Sequence, residues 1–323
     1  SSDLLVGILP AYIKHHSYGE YVFDHSWAHA FERAGGRYYP KLLCAVPFTP
    51  VPGPRLLYDH RHPEIAHSLL SALETIARDN KISSAHVNFI TDDDHNVLKD
   101  RGWMIRTGVQ FHWQNQNYNC FDDFLASLSS RKRKTLRKER QSLYQQGITF
   151  HQLNGTDIQT QHWEKFYQFY LSTIENKWGG AYLTENFFHQ IGAQMSHQVL
   201  LVLAEKNGQL IAGALNFIGQ HSLYGRNWGC VEHIPNLHFE TCYYQAIDFA
   251  ISRNLVTVEA GAQGLHNVQR GYLPVYTYSA HWLADSQFSE AVSRFLHQEL
   301  AAVEQDARSI DEMSPYRRDN KAG

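Results

Sequence analysis

Ser222-Leu-Tyr-Gly-Arg-Asn-Trp-Gly-Cys230, His238-Phe-Glu-Thr-Cys-Tyr-Tyr-Gln245, Gly261-Ala-Gln-Gly264, Arg270-Gly271 and Thr277-Tyr-Ser-Ala-His-Trp282 follow one another near the C-terminal end of the chain. Their pattern reads as strand, helix and strand. Polar and aromatic side chains are denser here than a plain core needs, and groups carried on the ends of regular elements are how ligand sites are built. Period-two alternation places Arg226 and Trp228 with Tyr224 on one strand face. Glu240 and Tyr244 stand at i,i+4 on the helix, opposite its apolar stripe of Phe239, Cys242, Tyr243, Ala246 and Ala250. Thr277, Ser279 and His281 share one face of the last strand, and Tyr278, Ala280 and Trp282 the other. An aromatic core with satisfied polar groups is the competing reading. Against it, Arg226, Glu240, Arg270 and His281 are four groups that are seldom all buried for packing alone.

Working outward, Val199–Glu205 and Leu210–Phe217 flank Asn207-Gly208, a strong hairpin signal. Ser222–Trp228 follows as a third antiparallel strand. Asn236 is placed to cap the helix that runs to about Asn254. Upstream, Leu4–Ile13 and Tyr18–Phe23 read as neighbouring strands. Ser26–Ala34, Pro63–Asn80 (with Ile65, Leu69, Leu70, Leu73 and Ile76 at helical spacing), Phe121–Leu128 and Ser130–Gln146 read as helices. Phe288–Ile310 closes the chain, with a loose tail after Pro315. The expected class is α+β, with mostly antiparallel sheets flanked by helices in two successive halves, 1–150 and 151–323. The strand-like run begins almost at residue 1 with no initiator methionine, so an N-terminal piece is expected to precede it.

Apolar residues make up 43% and charged residues 19% of the 323, an ordinary globular balance that excludes extensive disorder. The net charge of −3 suggests no polyanionic partner, but its distribution does. Residues 131–140 hold seven basic groups against Glu139, leaving about −9 for the remainder. On that helix Lys134, Arg137, Lys138 and Gln141 share a face suited to phosphate, and Ser129 or Ser130 could cap it. A solvated surface face is the alternative, although such faces usually alternate in sign.

Cys44, Cys120, Cys230 and Cys242 lack metal or redox spacing and read as reduced cytosolic thiols. Twenty histidines include His25 and His29 at i,i+4, without the glutamate of a zinc protease. No metal site is expected. There is no nucleophile elbow, Walker motif or Gly-x-Gly-x-x-Gly, and no apolar run is long enough to span a membrane. Gly261-Ala-Gln-Gly264 is too short for a phosphate loop and is open to reading as a tight turn.

Together with Tyr18-Gly-Glu-Tyr-Val-Phe-Asp24, Tyr39-Pro-Lys-Leu-Leu43, Val46-Pro-Phe-Thr-Pro50, Arg106-Thr-Gly-Val-Gln-Phe-His-Trp113, Phe124-Leu-Ala-Ser-Leu-Ser-Ser-Arg-Lys-Arg-Lys134, Lys177-Trp-Gly179 and Ala214-Leu-Asn216, these phrases span nearly the whole chain in order. The sequence resembles the Fem-like, peptidoglycan-biosynthesis-labelled members of the GNAT N-acyltransferase superfamily. The resemblance implies two tandem GNAT-like halves, the second carrying the main site, and a cytoplasmic enzyme. Its reaction would be attack by an amine, on a small molecule or cell-wall precursor, upon an acyl group from acyl-CoA or aminoacyl-tRNA. No tightly bound cofactor and no integral membrane contact are implied.

On that reading Arg226 or strand amides stabilise the oxyanion, Glu240 or His281 accepts the amine proton, and Tyr244 or Tyr278 protonates the leaving group. Arg131, Lys134, Arg137 and Lys138 hold donor phosphates. Lys177, Trp178, Asn216, Tyr224, Trp228, His238, Gln263 and Arg270 line the substrate. Two departures stand out: Leu265 and Asn267 occupy positions where the family usually has an acid and a lysine. The loop Gly229-Cys-Val-Glu-His-Ile-Pro-Asn236 lacks the glycines with which acetyl-CoA enzymes grip pyrophosphate, and the basic helix suits tRNA. A non-catalytic RNA-binding protein on the same fold, using residues 131–140, is the competing class.

Overall fold

The computed structural model describes residues 4–175, 180–261 and 265–317, with the backbone alone at Glu175, Leu265 and His266. The chain forms two compact units, residues 1–110 with 275–309, and residues 111–274 with 310–323. This differs from the expected split at residue 150. Strand pairing is the reason: the last strand and the long closing helix return to the first unit.

The first unit contains β1 (Gly7–Ile8), β2 (Tyr12–Lys14), α1 (His25–Arg33), β3 (Lys41–Cys44), β4 (Leu57–Tyr58), α2 (Glu64–Asp79), β5 (Ser84–Ile90), α3 (Asp92–Asp100) and the start of β6 (Met104–Gln114). The second contains the rest of β6, then α4 (Phe121–Ser127), α5 (Ser130–Tyr144), β7 (Ile148–Asn154), α6 (Thr160–Glu175), α7 (Glu185–Met195), β8 (Val199–Lys206), β9 (Gln209–Ile218), β10 (Ser222–Cys230), α8 (Leu237–Phe239), α9 (Gln245–Ser252) and β11 (Thr257–Glu259). β12 (Leu273–Leu283) and α10 (Ser286–Glu312) lead back to the first unit. The α+β class, with mostly antiparallel pairing, is as expected.

In the first unit, β2 pairs antiparallel with β3, β3 parallel with β5, and β5 antiparallel with β12. α2 covers this sheet through Ala66, Leu70, Leu73 and Ala77, while Ile76 of the expected stripe is exposed. Two alanines in the buried face let the helix backbone lie close to Ala85 and Val87.

Tyr18–Phe23 is not a strand. Gly19 and Tyr21 take positive φ, and the segment turns its polar groups inward. The Lys41 ammonium, fully buried, donates to Ser17 (2.7 Å), Glu20 (2.8 Å) and Asp24 (2.5 Å). Burial opposes ionisation of Asp24, yet its carboxyl lies well below the usual range. Burial also drives His86 down to about 3. With His86 neutral, Lys41 is the cation that keeps Asp24 charged.

The second unit is ordered β6, β11, β10, β9, β8, β7. The hairpin forms as read, with Asn207 and Gly208 both at positive φ (54° and 76°), the conformation of a type I′ turn. One face is covered by α6 and α7, whose Phe166, Phe169, Tyr170, Phe188 and Ile191 pack on Leu201, Leu203 and Leu215. Gly213 and Gly229 are register partners under α6, and a Cβ on Gly229 would fall 1.7 Å from the Phe169 carbonyl oxygen. The opposite face carries Leu143, Ala204, Ala212 and Leu237, with Trp228 partly buried beside them. The end of the chain is not loose through Arg317: Ser129 N–H donates to the Pro315 carbonyl and Arg317 N–H to that of Ser127, both 2.9 Å.

Replacing Lys41 with Met should leave Glu20 and Asp24 as uncompensated buried charges and cost about 3–5 kcal/mol. A urea melt of the purified variant checks this, and an unchanged midpoint would contradict it.

Candidate functional site

Where β10 loses one neighbour, the sheet opens. β10 pairs with β9 along its length, but with β11 in parallel only over Ser222–Tyr224. β11 ends at Glu259, opposite Tyr224, while β10 runs on to Cys230. Just there the β10–β9 register shifts between Gly225 and Asn227, so Arg226 is the extra residue of a bulge. Gly225 lies tight against β11, where a Cβ would be 3.3 Å from the Glu259 carbonyl oxygen. The bulge overturns the expected alternation. Tyr224 pairs with Phe217 and Trp228 with Ala214, so they point to opposite faces.

Register also brings together residues the sequence keeps apart. Glu259 pairs with His112 of β6 on one side and Tyr224 of β10 on the other. The three side chains form a row on the α6 face. His112 Nε2 lies 3.7 Å from Glu259 Oε2, with side chains 10% and 12% exposed. Burial pushes the Glu259 carboxyl up to about 7 and His112 down to about 4. Glu259 Oε2 and Asn227 Oδ1 are buried without a hydrogen-bond partner among the described residues. Arg226 is half-buried and has no ion pair among the described residues.

The opposite face carries a closed ion-pair network. Residues Glu240–Tyr244 form one π-helical turn between α8 and α9, so partners fall at i,i+5 rather than i,i+4. Gln245 accordingly donates to Glu240 at 2.8 Å. Glu240 is fully buried and accepts from Arg140 Nε and Nη2 (3.0 and 2.8 Å), while Arg140 also donates to Asp248 at 2.6 Å. Burial raises the Glu240 carboxyl against the pull of Arg140. Next to it, Glu139 accepts from Arg270 (3.0 Å) and from the Tyr244 hydroxyl. The Arg270 guanidinium sits 3.2 Å from the Phe239 ring centroid.

Several expected site residues therefore hold other places. Glu240 and Tyr244 do not face a cleft; both are enclosed by α5. Arg270 is 7% exposed and committed to Glu139. Asn216 is buried, and its amide donates to the Leu200 carbonyl at 3.4 Å. Trp228 and His238 pack with tilted rings, centroids 5.0 Å apart. His281 and Tyr278 belong to the first unit. His281 is enclosed there by His86 (2.7 Å), Ser279 (2.9 Å) and Trp27, and burial drives its pKa well down. Tyr278 packs against His95 with tilted rings, centroids 5.0 Å apart. Arg131, Lys134, Arg137 and Lys138 are exposed along α5, Arg137 donating to Asp122 at 2.8 Å. Neither Ser129 nor Asn236 caps through its side chain, the latter because it takes the left-handed conformation (φ 69°). Lys177, Trp178 and Gln263 lie outside the described residues. Among the described residues no three metal-ligating side chains converge, and no helix is long and apolar enough to cross a membrane.

A family model described as FemAB-like, peptidoglycan biosynthesis/recognition, matches residues 1–318. The chain belongs to the FemAB-like family. Its fold is similar to that of L-PGS from Bacillus licheniformis, at 13% identity, TM-score 0.52, covering 76% of this chain and 80% of that one. The C-terminal domain of a putative lysylphosphatidylglycerol synthetase from Agrobacterium fabrum also matches in fold, at 11% identity, TM-score 0.52, with 73% and 78% covered. FemX matches at 13% identity, TM-score 0.50, with 78% and 86% covered. No curated protein matches the chain.

The Glu259–His112 pair has a pH signature. Glu259, raised from 4.5 to about 7, stabilises the fold below pH 4.5, and that contribution is lost as pH climbs through 7. His112, lowered from 6.5 to about 4, contributes above pH 6.5 and loses it as pH falls through 4. The two oppose each other in the wild type. Relative to wild type, Glu259→Gln should therefore gain on the order of 3 kcal/mol between acid and neutral pH. Parallel melts across that window read the difference, and a flat difference would contradict the burial of Glu259.

Proposed function

We propose that this FemAB-like protein is an aminoacyltransferase that moves an aminoacyl group from tRNA to an amine of a cell-wall precursor in the cytoplasm. The observation that carries the reading is the divergence of β10 from β11 at Tyr224 and Glu259, with Arg226 set in the bulge. An acyl carbonyl at that opening would meet a strand edge released from pairing and a guanidinium without an ion pair among the described residues. The family's description as peptidoglycan biosynthesis/recognition supports the acceptor class, and the likeness to FemX and L-PGS supports the fold.

Two features favour tRNA over acyl-CoA. The loop after β10 lacks pyrophosphate-gripping glycines and leads into a helix of three residues, Leu237–Phe239, which ends in the π turn. The exposed cations Arg131, Lys134, Arg137 and Lys138 offer a phosphate-binding face. In the reaction the acceptor nitrogen attacks the ester carbonyl, the C–N bond forms and the C–O bond to the tRNA ribose breaks. The nitrogen loses a proton and the ribose oxygen gains one. Arg226 holds the charge that develops on the carbonyl oxygen. No cofactor takes part.

The exposed basic face also suits a non-catalytic RNA-binding protein, and one assay separates the readings. Radiolabelled alanyl-, seryl-, glycyl- and lysyl-tRNA are mixed with a muropeptide precursor bearing a free side-chain amine, with acetyl-CoA run in parallel. Label should pass to the muropeptide, and Arg226→Ala should lower kcat by about 10²–10³-fold. Replacing Arg131, Lys134, Arg137 and Lys138 with Ala should raise KM for tRNA and flatten its salt dependence. Salt-sensitive tRNA binding without transfer would establish the RNA-binding reading, and transfer from acetyl-CoA alone would overturn the donor.

A further inference from the structure

We propose that Glu259 is the general base that takes the proton from the attacking amine, an assignment that rests on the acyl-transfer reading above. The other candidate bases are already occupied. Glu240 is fully buried and accepts hydrogen bonds from Arg140 Nε and Nη2, from Gln245 and from the Tyr144 hydroxyl. Its oxygens are spent on holding α5. His281 is 1% exposed and bonded to His86 and Ser279 within the first unit. Neither can reach a substrate without dismantling the packing around it.

Glu259 has the opposite character. It is the last residue of β11 and stands at the point where β10 departs. The neighbour beyond it on β10 is Gly225, followed by the bulged Arg226. A nucleophile entering the opening would meet the Glu259 side chain on the α6 face. Its Oε2 has no hydrogen-bond partner among the described residues, and a partnerless buried carboxylate oxygen is costly unless a ligand or solvent engages it.

The electrostatics agree with this geometry. The titratable groups that flank Glu259 in register are His112 from β6 and Tyr224 from β10; Arg226 lies two residues beyond Tyr224, and burial alone sets the Glu259 shift. Burial keeps His112 neutral near pH 7, so it offers no fixed cation to pull the carboxyl down. The Glu259 carboxyl is raised by burial to about 7, where a base can both accept and release a proton at cellular pH. In the step, the amine nitrogen bonds to the carbonyl carbon and passes its proton to Glu259. The carboxyl then returns that proton as the ribose oxygen leaves, and the carboxylate is restored.

Kinetics on the full chain test the assignment, with alanyl-tRNA as donor and the amine-bearing muropeptide as acceptor. Glu259→Gln should lower kcat by about 10²–10⁴-fold with KM for alanyl-tRNA unchanged. It should also erase a wild-type limb in kcat that rises through pH 7. Wild-type transfer combined with a Gln variant of equal rate and the same limb would overturn the base and leave the acyltransferase reading standing. No transfer by wild type from any donor would overturn both. If the Gln variant does not fold, Glu259→Asp decides: the shortened carboxyl should keep the limb and lose about tenfold in kcat, and a wild-type kcat would overturn the assignment.

Discussion

β10 can be paired on both edges for three residues only, Ser222–Tyr224. A strand that keeps one neighbour and loses the other must leave a row of backbone groups facing an opening. The bulge at Gly225–Asn227 adds twist at the same place and re-aims Arg226. Everything that resembles a site in the second unit follows from this. Gly225 allows the close approach just before the strands part, and Gly229 lets α6 press on the strand just after. Glu259 owes its position to being where β11 stops.

The two faces of that sheet do different work. On one, Glu139 and Arg140 are neighbours in sequence that reach in different directions, to Arg270 with Tyr244 and to Glu240 with Asp248. They fix α5 to the π-helical turn. Arg131, Lys134, Arg137 and Lys138 are left on the outer surface of α5, while Lys132 donates to Gln269. On the other face, Glu259 Oε2 is buried with no hydrogen-bond partner among the described residues, whereas both oxygens of Glu240 accept hydrogen bonds. That difference is what separates Glu240 from Glu259.

Much of the fold was legible because it depends on local pattern. The Asn207-Gly208 hairpin, the helices α2, α5 and α10 and the strands β8 to β10 lie where periodicity and turn chemistry put them. The misreadings share a cause. Tyr18–Phe23 alternates like a strand, but its Glu20 and the adjoining Asp24 are claimed by Lys41, 21 and 17 residues on. Glu240 and Tyr244 look exposed on an ideal helix, and the π turn rotates that register. Tyr224 and Trp228 look co-facial until one bulged residue intervenes. Glu259 was missed because Val-Glu at a strand end is unremarkable by itself. Its meaning comes from pairing with His112, which no local window contains. The exposure of Arg131, Lys134, Arg137 and Lys138 on α5 was legible because it needs no distant partner.

On this reading Glu240 holds the fold, while the proposed chemistry lies on the other face of the sheet. Glu240→Gln tests it most directly when its thermal midpoint and the kcat of its folded form are measured together. The midpoint should fall clearly, because Arg140 loses a buried anion, with kcat within a few-fold of wild type at temperatures where the variant is folded. An unchanged midpoint with kcat reduced a hundredfold or more, the scale of a lost general base, would contradict it.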